Sequence, residues 1–208
     1  MLDIALPKGR LGDQVYRLFA SIGCECPAML GDDRRLVFES PDGAVRYLLV
    51  KPADVPIYVE HGAADVGVAG KDVLMECSPD VYELMDLGIG RCYLAVAARE
   101  GYIDDRGGVL RVATKYGNIA RDYYASINRS VEVIHLNGSI ELAPILGLAD
   151  VILDIVESGA TLRENRLAVV QTVAPISARL IANRSSFVFK GDAIARLTQK
   201  LAEVLPRD

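Results

Sequence analysis

Short apolar runs alternate with segments of helical spacing along nearly the whole chain, and this alternation restricts the fold more than any other feature. Residues 3–6 read as a strand, Pro7-Lys8-Gly9-Arg10 as a turn and residues 11–22 as a helix. That helix has Leu11, Val15, Leu18, Phe19 and Ile22 on one face, and Gly23 ends it. Val45–Val50 reads as a strand, 53–61 as a short helix, 64–70 as a small-residue strand running into Gly70, and 71–75 as the start of another helix. Strands recur at 93–98, Leu110–Thr114, 131–136, Val151–Val156 and 178–183, with helices at 118–127, 140–146, 160–166 and 192–205. Lys200 near the end of the last helix suits that helix's dipole. Strands alternating with helices predict a mostly parallel α/β sheet covered on both faces. Two such sets meet near residues 87–91 and again near 172–177. The expected organisation is a first lobe of 1–91 plus 178–208 and a second lobe of 92–177, with ligands in a cleft between them.

Composition narrows the function. A chain of 208 residues, 51% hydrophobic and 25% charged, can bury two small cores as an ordinary soluble protein. Trp is absent, the net charge is -5 and no long basic run occurs, so a nucleic-acid surface is not expected. An anionic ligand must then be held by a few local donors or a metal. No apolar run approaches membrane-spanning length, and residues 2–6 lack the form of a secretory signal, so the expectation is a cytoplasmic protein with no membrane partner. Cys24 and Cys26 form a C-x-C pair rather than a C-x-x-C pair, and with Cys77 and Cys92 they read as reduced thiols.

The most informative stretch is Asp154-Ile155-Val156-Glu157-Ser158-Gly159-Ala160-Thr161-Leu162. An ionised carboxylate inside an apolar strand is costly unless it is paired or emerges at the strand end. The strand then opens into small and hydroxyl residues at a helix start, which present N–H groups and hydroxyls to an anion. Carboxylates accept hydrogen bonds from a ribose diol, while Ser158, Gly159, Ala160 and Thr161 can cradle a phosphate. An ordinary strand-to-helix turn capped by Ser158 and Thr161 is the alternative.

Residues 154–162 resemble the phosphoribosyl-pyrophosphate signature of the ATP phosphoribosyltransferases. Four further stretches carry the same resemblance: Leu6-Pro7-Lys8-Gly9-Arg10-Leu11, residues 54–72, Ala113-Thr114-Lys115-Tyr116, and Gly138-Ser139-Ile140-Glu141-Leu142-Ala143-Pro144. The resemblance implies a two-lobed fold similar to type II periplasmic binding proteins. It also implies the transfer of phosphoribosyl from phosphoribosyl pyrophosphate to N1 of ATP, with Mg²⁺ carried mainly by substrate phosphates. The chain's length resembles the family's short form, which works in a hetero-oligomer with a regulatory subunit similar to histidyl-tRNA synthetase. The isolated short-form subunit would then be active but insensitive to histidine.

Adenine N1 has a free lone pair at neutral pH, so this chemistry needs cations and positioning more than a base. Arg10 in the glycine-bearing loop and Arg34 after the polar Gly31-Asp32-Asp33 segment are the candidate electrophilic catalysts, the second by the resemblance. Asp154, Glu157, Ser158, Gly159, Ala160 and Thr161 are the candidate phosphoribosyl-pyrophosphate site. Lys8, Gly9, Arg35, Gly70, Lys71, Asp72, Lys115, Tyr116 and Glu141 are candidates for the ATP side or the cleft. His61 reads as a helix-end residue, and Asp65 as structural. Two rival readings stand beside this one. A solute-binding protein would use the same lobes without the phosphate loop, and a regulator's effector domain would follow a DNA-binding helix pair.

Overall fold

A computed structural model describes residues 1–31 and 34–206; the Asp32-Asp33 pair and the end of the tail, Arg207 and Asp208, lie outside the described residues. The chain opens with β1 (Leu2–Pro7), α1 (Arg10–Ser21), β2 (Val37–Glu39) and β3 (Val45–Val50). Then come α2 (Val55–Glu60), β4 (Val66–Gly70), α3 (Lys71–Cys77) and β5 (Tyr82–Asp86). A second run follows: β6 (Cys92–Arg99), β7 (Leu110–Thr114), α4 (Gly117–Ser126), β8 (Val131–His135), α5 (Leu142–Ile145), β9 (Val151–Val156), α6 (Ala160–Glu164) and β10 (Leu167–Ile176). The chain closes with β11 (Ala178–Ala182), α7 (Arg184–Phe189) and α8 (Gly191–Val204).

These elements form two compact units. Met1–Leu74, Ser78–Gly90 and Ser177–Asp208 make the first, and Met75–Cys77 with Arg91–Ile176 the second. The first unit holds a six-stranded sheet in the order β2-β3-β1-β4-β11-β5, and the second a five-stranded sheet in the order β10-β6-β9-β7-β8.

Both sheets are mixed, which corrects the expectation of mostly parallel pairing. β3-β1-β4 and β8-β7-β9 are parallel. β11 runs antiparallel to both β4 and β5, and β6 antiparallel to both β9 and β10. β2 runs antiparallel to β3 as well. β11 and β6 are the first strands laid down after each passage between units, and no helix separates either one from the strand before it. A helical crossover is what returns a chain to the starting end of its sheet, and here it is missing.

In the first unit, β1, β3 and β4 bury Ile4, Leu6, Tyr47, Val66 and Val68 against α1 and α8, which contribute Val15, Phe19, Ile194, Leu197 and Leu201. Lys200 does not serve its own helix. Its ammonium donates to the carbonyl of Ile22, the residue that ends α1. Asp65 is structural. Its carboxylate accepts from the Asp3 N–H at 2.8 Å, the Ser186 hydroxyl at 2.7 Å and the Lys190 ammonium at 2.6 Å, tying β1 to α7. Burial alone would raise the Asp65 pKa, but these three donors outweigh it and hold the carboxyl below its ordinary value. In the second unit, Thr114 is fully buried; its hydroxyl donates to Leu153 at 2.7 Å and accepts the Tyr116 N–H at 2.8 Å.

Candidate functional site

Two pockets collect most of the candidate residues, one in each unit. The first, of about 410 Å³, opens where β1 hands over to α1. Lys8, Gly9, Arg34 and Arg35 line it. Its local geometry depends on two glycines with different duties. Gly9 has φ 93° and ψ -165°, a conformation open only to glycine, which lets the chain turn from β1 into α1. Gly12 faces back onto the strand: a Cβ there would stand 1.8 Å from the Pro7 carbonyl oxygen. The helix therefore sits directly over the end of β1, and Asp13 and Tyr16 on the next turn join the pocket wall.

The pocket is divided chemically. Lys8, Arg34 and Arg35 are exposed cations, Arg35 lying over the Phe38 ring at 5.1 Å, and among the described residues Asp13 is the one acid in the lining. Met29, Leu30, Leu36 and Leu49 supply an apolar wall. An anion with a flat hydrophobic portion matches such a divided site. Arg10 is the first residue of α1 and is exposed, but it is not among the lining side chains, so the structure brings Arg34 to Lys8 and Gly9 without Arg10. Asp13, Tyr16 and the apolar wall were not anticipated. A signal was present: Gly9, Gly12, Asp13 and Tyr16 recur at i, i+3, i+4 and i+7, one helix face of small and polar groups.

The second pocket, of about 320 Å³, lies at the end of β9. Side chains alternate along a strand, so Asp154 shares the face of Ile152 and Val156, while Leu153 packs on the other. Being two residues from the strand's end, Asp154 escapes full burial and reaches the pocket with Glu157 and half-buried Glu141. The chain then bends through Ser158 and Gly159, where φ 70° puts the glycine in the left-handed region. The Ser158 hydroxyl accepts the Ala160 N–H at 3.3 Å, and the Arg163 guanidinium donates to the Ser158 carbonyl at 3.0 Å, bracing the loop from below. Thr161 is exposed on the same wall. The helix that follows has five residues, so its dipole is small; the donors that matter are the first N–H groups, which lack intrahelical acceptors, and the two hydroxyls.

The remaining candidates line neither pocket. Gly70, Lys71 and Asp72 stand at the turn from β4 to α3: the Lys71 ammonium pairs with Glu83 at 2.6 Å, and buried Asp72 folds one carboxylate oxygen over Gly70, in the space a Cβ would need. Tyr116 is a core residue, 3% exposed, packed with Ile119, Tyr124 and Leu153, and its ring serves as the floor beneath the Lys115 ammonium at 4.7 Å. The strand-end position suggested a pocket wall, but the Tyr116 N–H is drawn onto Thr114 and the ring follows inward. His61 is exposed at the C-terminal end of α2.

A family model described as ATP phosphoribosyltransferase matches residues 51–203. The chain belongs to that family. The ATP phosphoribosyltransferase of Brachyspira hyodysenteriae is 57% identical over 206 residues, covering 99% of this chain and 100% of the relative. Among solved structures, the ATP phosphoribosyl transferase (HisG:HisZ) complex from Thermotoga maritima contains a chain with a TM-score of 0.85 and 33% identity, each chain covered to 98%. The periplasmic VFT2 domain of Bordetella pertussis BvgS, at 12% identity, a TM-score of 0.60 and coverage of 99% and 88%, shares the fold alone. The α/β architecture of this phosphoribosyltransferase-family chain is thus that of two-unit periplasmic binding domains, as the sequence led one to expect.

Proposed function

We propose that this chain is the catalytic subunit of an ATP phosphoribosyltransferase. It joins ATP to 5-phosphoribosyl 1-pyrophosphate, giving N1-(5-phosphoribosyl)-ATP and pyrophosphate, the first step of histidine biosynthesis. The observation that carries the reading is the second pocket, where Asp154 and Glu157 stand beside the loop from Ser158 to Thr161. Two carboxylates suit a ribose diol and the loop suits a 5'-phosphate. The first pocket is assigned to ATP, its apolar wall facing the purine. Arg34 is assigned to the departing pyrophosphate with Arg10 in support, and Lys8 and Arg35 act as phosphate cations. The Lys115 ammonium is assigned to substrate phosphate, while Gly70, Lys71, Asp72 and Tyr116 support the turns that carry the site.

Among the described residues no group of three or more His, Cys, Asp or Glu could hold a metal ion. Mg²⁺ is assigned to the substrate phosphates, beside which Glu141, Asp154 and Glu157 line the second pocket as hard oxygen donors. Such an ion neutralises phosphate charge in the reaction. We assign the chain to the short form, which pairs with a separate regulatory subunit; the full-length match to the Brachyspira relative and the two-component Thermotoga complex support this. Four free cysteines fit a reducing, cytoplasmic setting, and no described helix is long and apolar enough to cross a membrane.

The test is incubation of the purified chain with ATP, phosphoribosyl pyrophosphate and Mg²⁺, following the near-ultraviolet absorbance of N1-substituted adenine with and without the partner subunit. Arg34→Ala should lower turnover by about 10²-fold while ATP binding changes less. Parental turnover by the folded variant in a single-turnover experiment would remove Arg34 from the mechanism.

A further inference from the structure

The assignments of ATP and pyrophosphate leave one carboxylate of the first pocket without a task. Asp13 stands in the first turn of α1 and, among the described residues, is the one acid in a lining that holds Lys8, Arg34 and Arg35. It is exposed, and among the described residues neither it nor Arg34 forms an ion pair. Its position is fixed from both sides. The Asp13 N–H donates to the Gly9 carbonyl at 3.1 Å, and the close approach of Gly12 to Pro7 seats that turn of α1 on the end of β1. One turn further on, the Tyr16 hydroxyl accepts the Cys26 N–H at 3.1 Å, and the Tyr16 ring meets Tyr47 edge-on with centroids 6.0 Å apart.

A carboxylate beside phosphate oxygens would repel them, so an acid in an ATP pocket belongs at the base. The reaction creates charge there. The lone pair of N1 forms the bond to C1' while the bond from C1' to the pyrophosphate oxygen breaks, and that oxygen keeps the electron pair. Adenine, neutral in ATP, thereby gains a positive charge shared between N1 and the 6-amino nitrogen, as in an amidinium. Pyrophosphate gains the matching negative charge, and no proton moves in the step.

We propose that Asp13 is a catalytic residue: its carboxylate accepts a hydrogen bond from the 6-amino group of ATP and stabilises the positive charge that the base acquires as N1 attacks. This rests on the assignment of the first pocket to ATP. Arg34 takes the negative end of the charge separation and Asp13 the positive end. The contact begins between a carboxylate and a neutral amino group and ends as an ion pair. It therefore strengthens as the reaction proceeds, which is the condition for a rate effect rather than a binding effect. Because Asp13 and Arg34 do not pair with each other, both are left to the reacting groups.

Calorimetric titration with two nucleotides tests this. One is ATP, and the other is 1-methyl-ATP, whose alkylated base carries at neutral pH the charge that the reaction creates. Asp13→Asn keeps the size of the side chain, and its amide oxygen can still accept from a neutral amino group; circular dichroism would confirm the fold. The variant should bind 1-methyl-ATP at least about tenfold more weakly than the parent, with less than about threefold change for ATP. Its single-turnover rate should fall by roughly 10²-fold. Lys8→Ala should weaken both nucleotides alike. Equal losses for both nucleotides in Asp13→Asn, or no loss for either, would overturn the proposal. So would tighter binding of ATP, which would put Asp13 at the phosphates, or recovery of the lost rate by excess Mg²⁺, which would put it on the metal. If Lys8→Ala also leaves both affinities at the parental values, ATP does not occupy the first pocket, and the assignment beneath the proposal falls with it.

Discussion

Gly12→Ala isolates how closely α1 must sit on the end of β1. The added Cβ would lie 1.8 Å from the Pro7 oxygen and 3.0 Å from its carbon, where real Cβ contacts essentially never fall below 3.0 Å. The obstacle is backbone on both sides, so no rotamer change relieves it, and the helix or the Pro7-Lys8-Gly9 turn must retreat by at least about 1.2 Å. Overpacking of this kind costs roughly 1–3 kcal/mol, and with a urea slope of about 2 kcal/mol/M the midpoint should fall by ~0.5–1.5 M. The functional cost should be larger than stability alone explains. The retreat carries Lys8 and Gly9 away from Arg34, and a misplacement of about 1 Å can cost 10²-fold in rate. Urea denaturation by circular dichroism and kcat/KM at saturating phosphoribosyl pyrophosphate, measured on the same preparation, provide both readouts. Gly9→Ala is the comparison: nothing stands within 4 Å of its Cβ, so its penalty comes from the φ of 93° alone, roughly 1–3 kcal/mol. If Gly12→Ala unfolds within about 0.5 kcal/mol of the parent and keeps its kcat/KM within twofold, the close seating of α1 is not what shapes the pocket.

Three other outcomes follow from the geometry. Thr161→Ala should raise the KM for phosphoribosyl pyrophosphate, by the loss of a charge-assisted hydrogen bond worth roughly 1.5–3 kcal/mol, and leave the KM for ATP nearly unchanged; equal effects on both would detach Thr161 from the phosphate. Thr114→Val keeps the shape of a fully buried side chain but strips the Tyr116 N–H of its acceptor, so second-unit stability should drop by about 1–3 kcal/mol, and a loss under ~0.5 kcal/mol in chemical denaturation would contradict the bonding described. The lowered pKa of Asp65 means its contribution is full above the unfolded carboxyl value near 3.9 and disappears as pH falls through the folded value. Urea midpoints measured from pH 7 downward should therefore decline below about pH 4 more steeply in the parent than in Asp65→Asn, which should already be weaker at pH 7 by about 1.5–3 kcal/mol; parallel profiles would refute the role.

Elements with uninterrupted periodicity were legible in the sequence. Val45–Val50, Leu110–Thr114 and Val151–Val156 fall where their apolar runs lie. β10 was not legible, because each register shift slips its alternation by one residue and the resulting row of Val, Gln, Thr and Val shows neither period. β2 is too short to show a period, β5 mixes Glu83 and Asp86 into its run, and α7 leaves Val188 and Phe189 exposed instead of forming one apolar face. In the candidate site, the carboxylates and small residues around β9 could be read locally because one loop contains them. The first pocket gathers residues from α1, the segment before β2, and β3, and pairings that distant leave no local trace. Tyr116 shows the limit of reasoning from position along a strand: one buried hydroxyl two residues earlier decides which way the chain turns.

The order β4-β11-β5 has a consequence for how the protein is made on the ribosome. β5 is synthesised early, yet among the described residues its one neighbour in the sheet is β11, which follows β10, the last strand of the second unit. Until residue 182 has emerged, β5 has no ladder to join, and the core around β1 and α1 waits on α8 for Ile194, Leu197 and Leu201. The second unit carries no such debt in its main segment, since Arg91–Ile176 is continuous. Vectorial synthesis therefore completes the middle of the chain before its beginning. A nascent chain stalled short of β11 holds a finished second sheet beside an open first one, exposing the edge of β4 and its apolar face to chaperones and proteases.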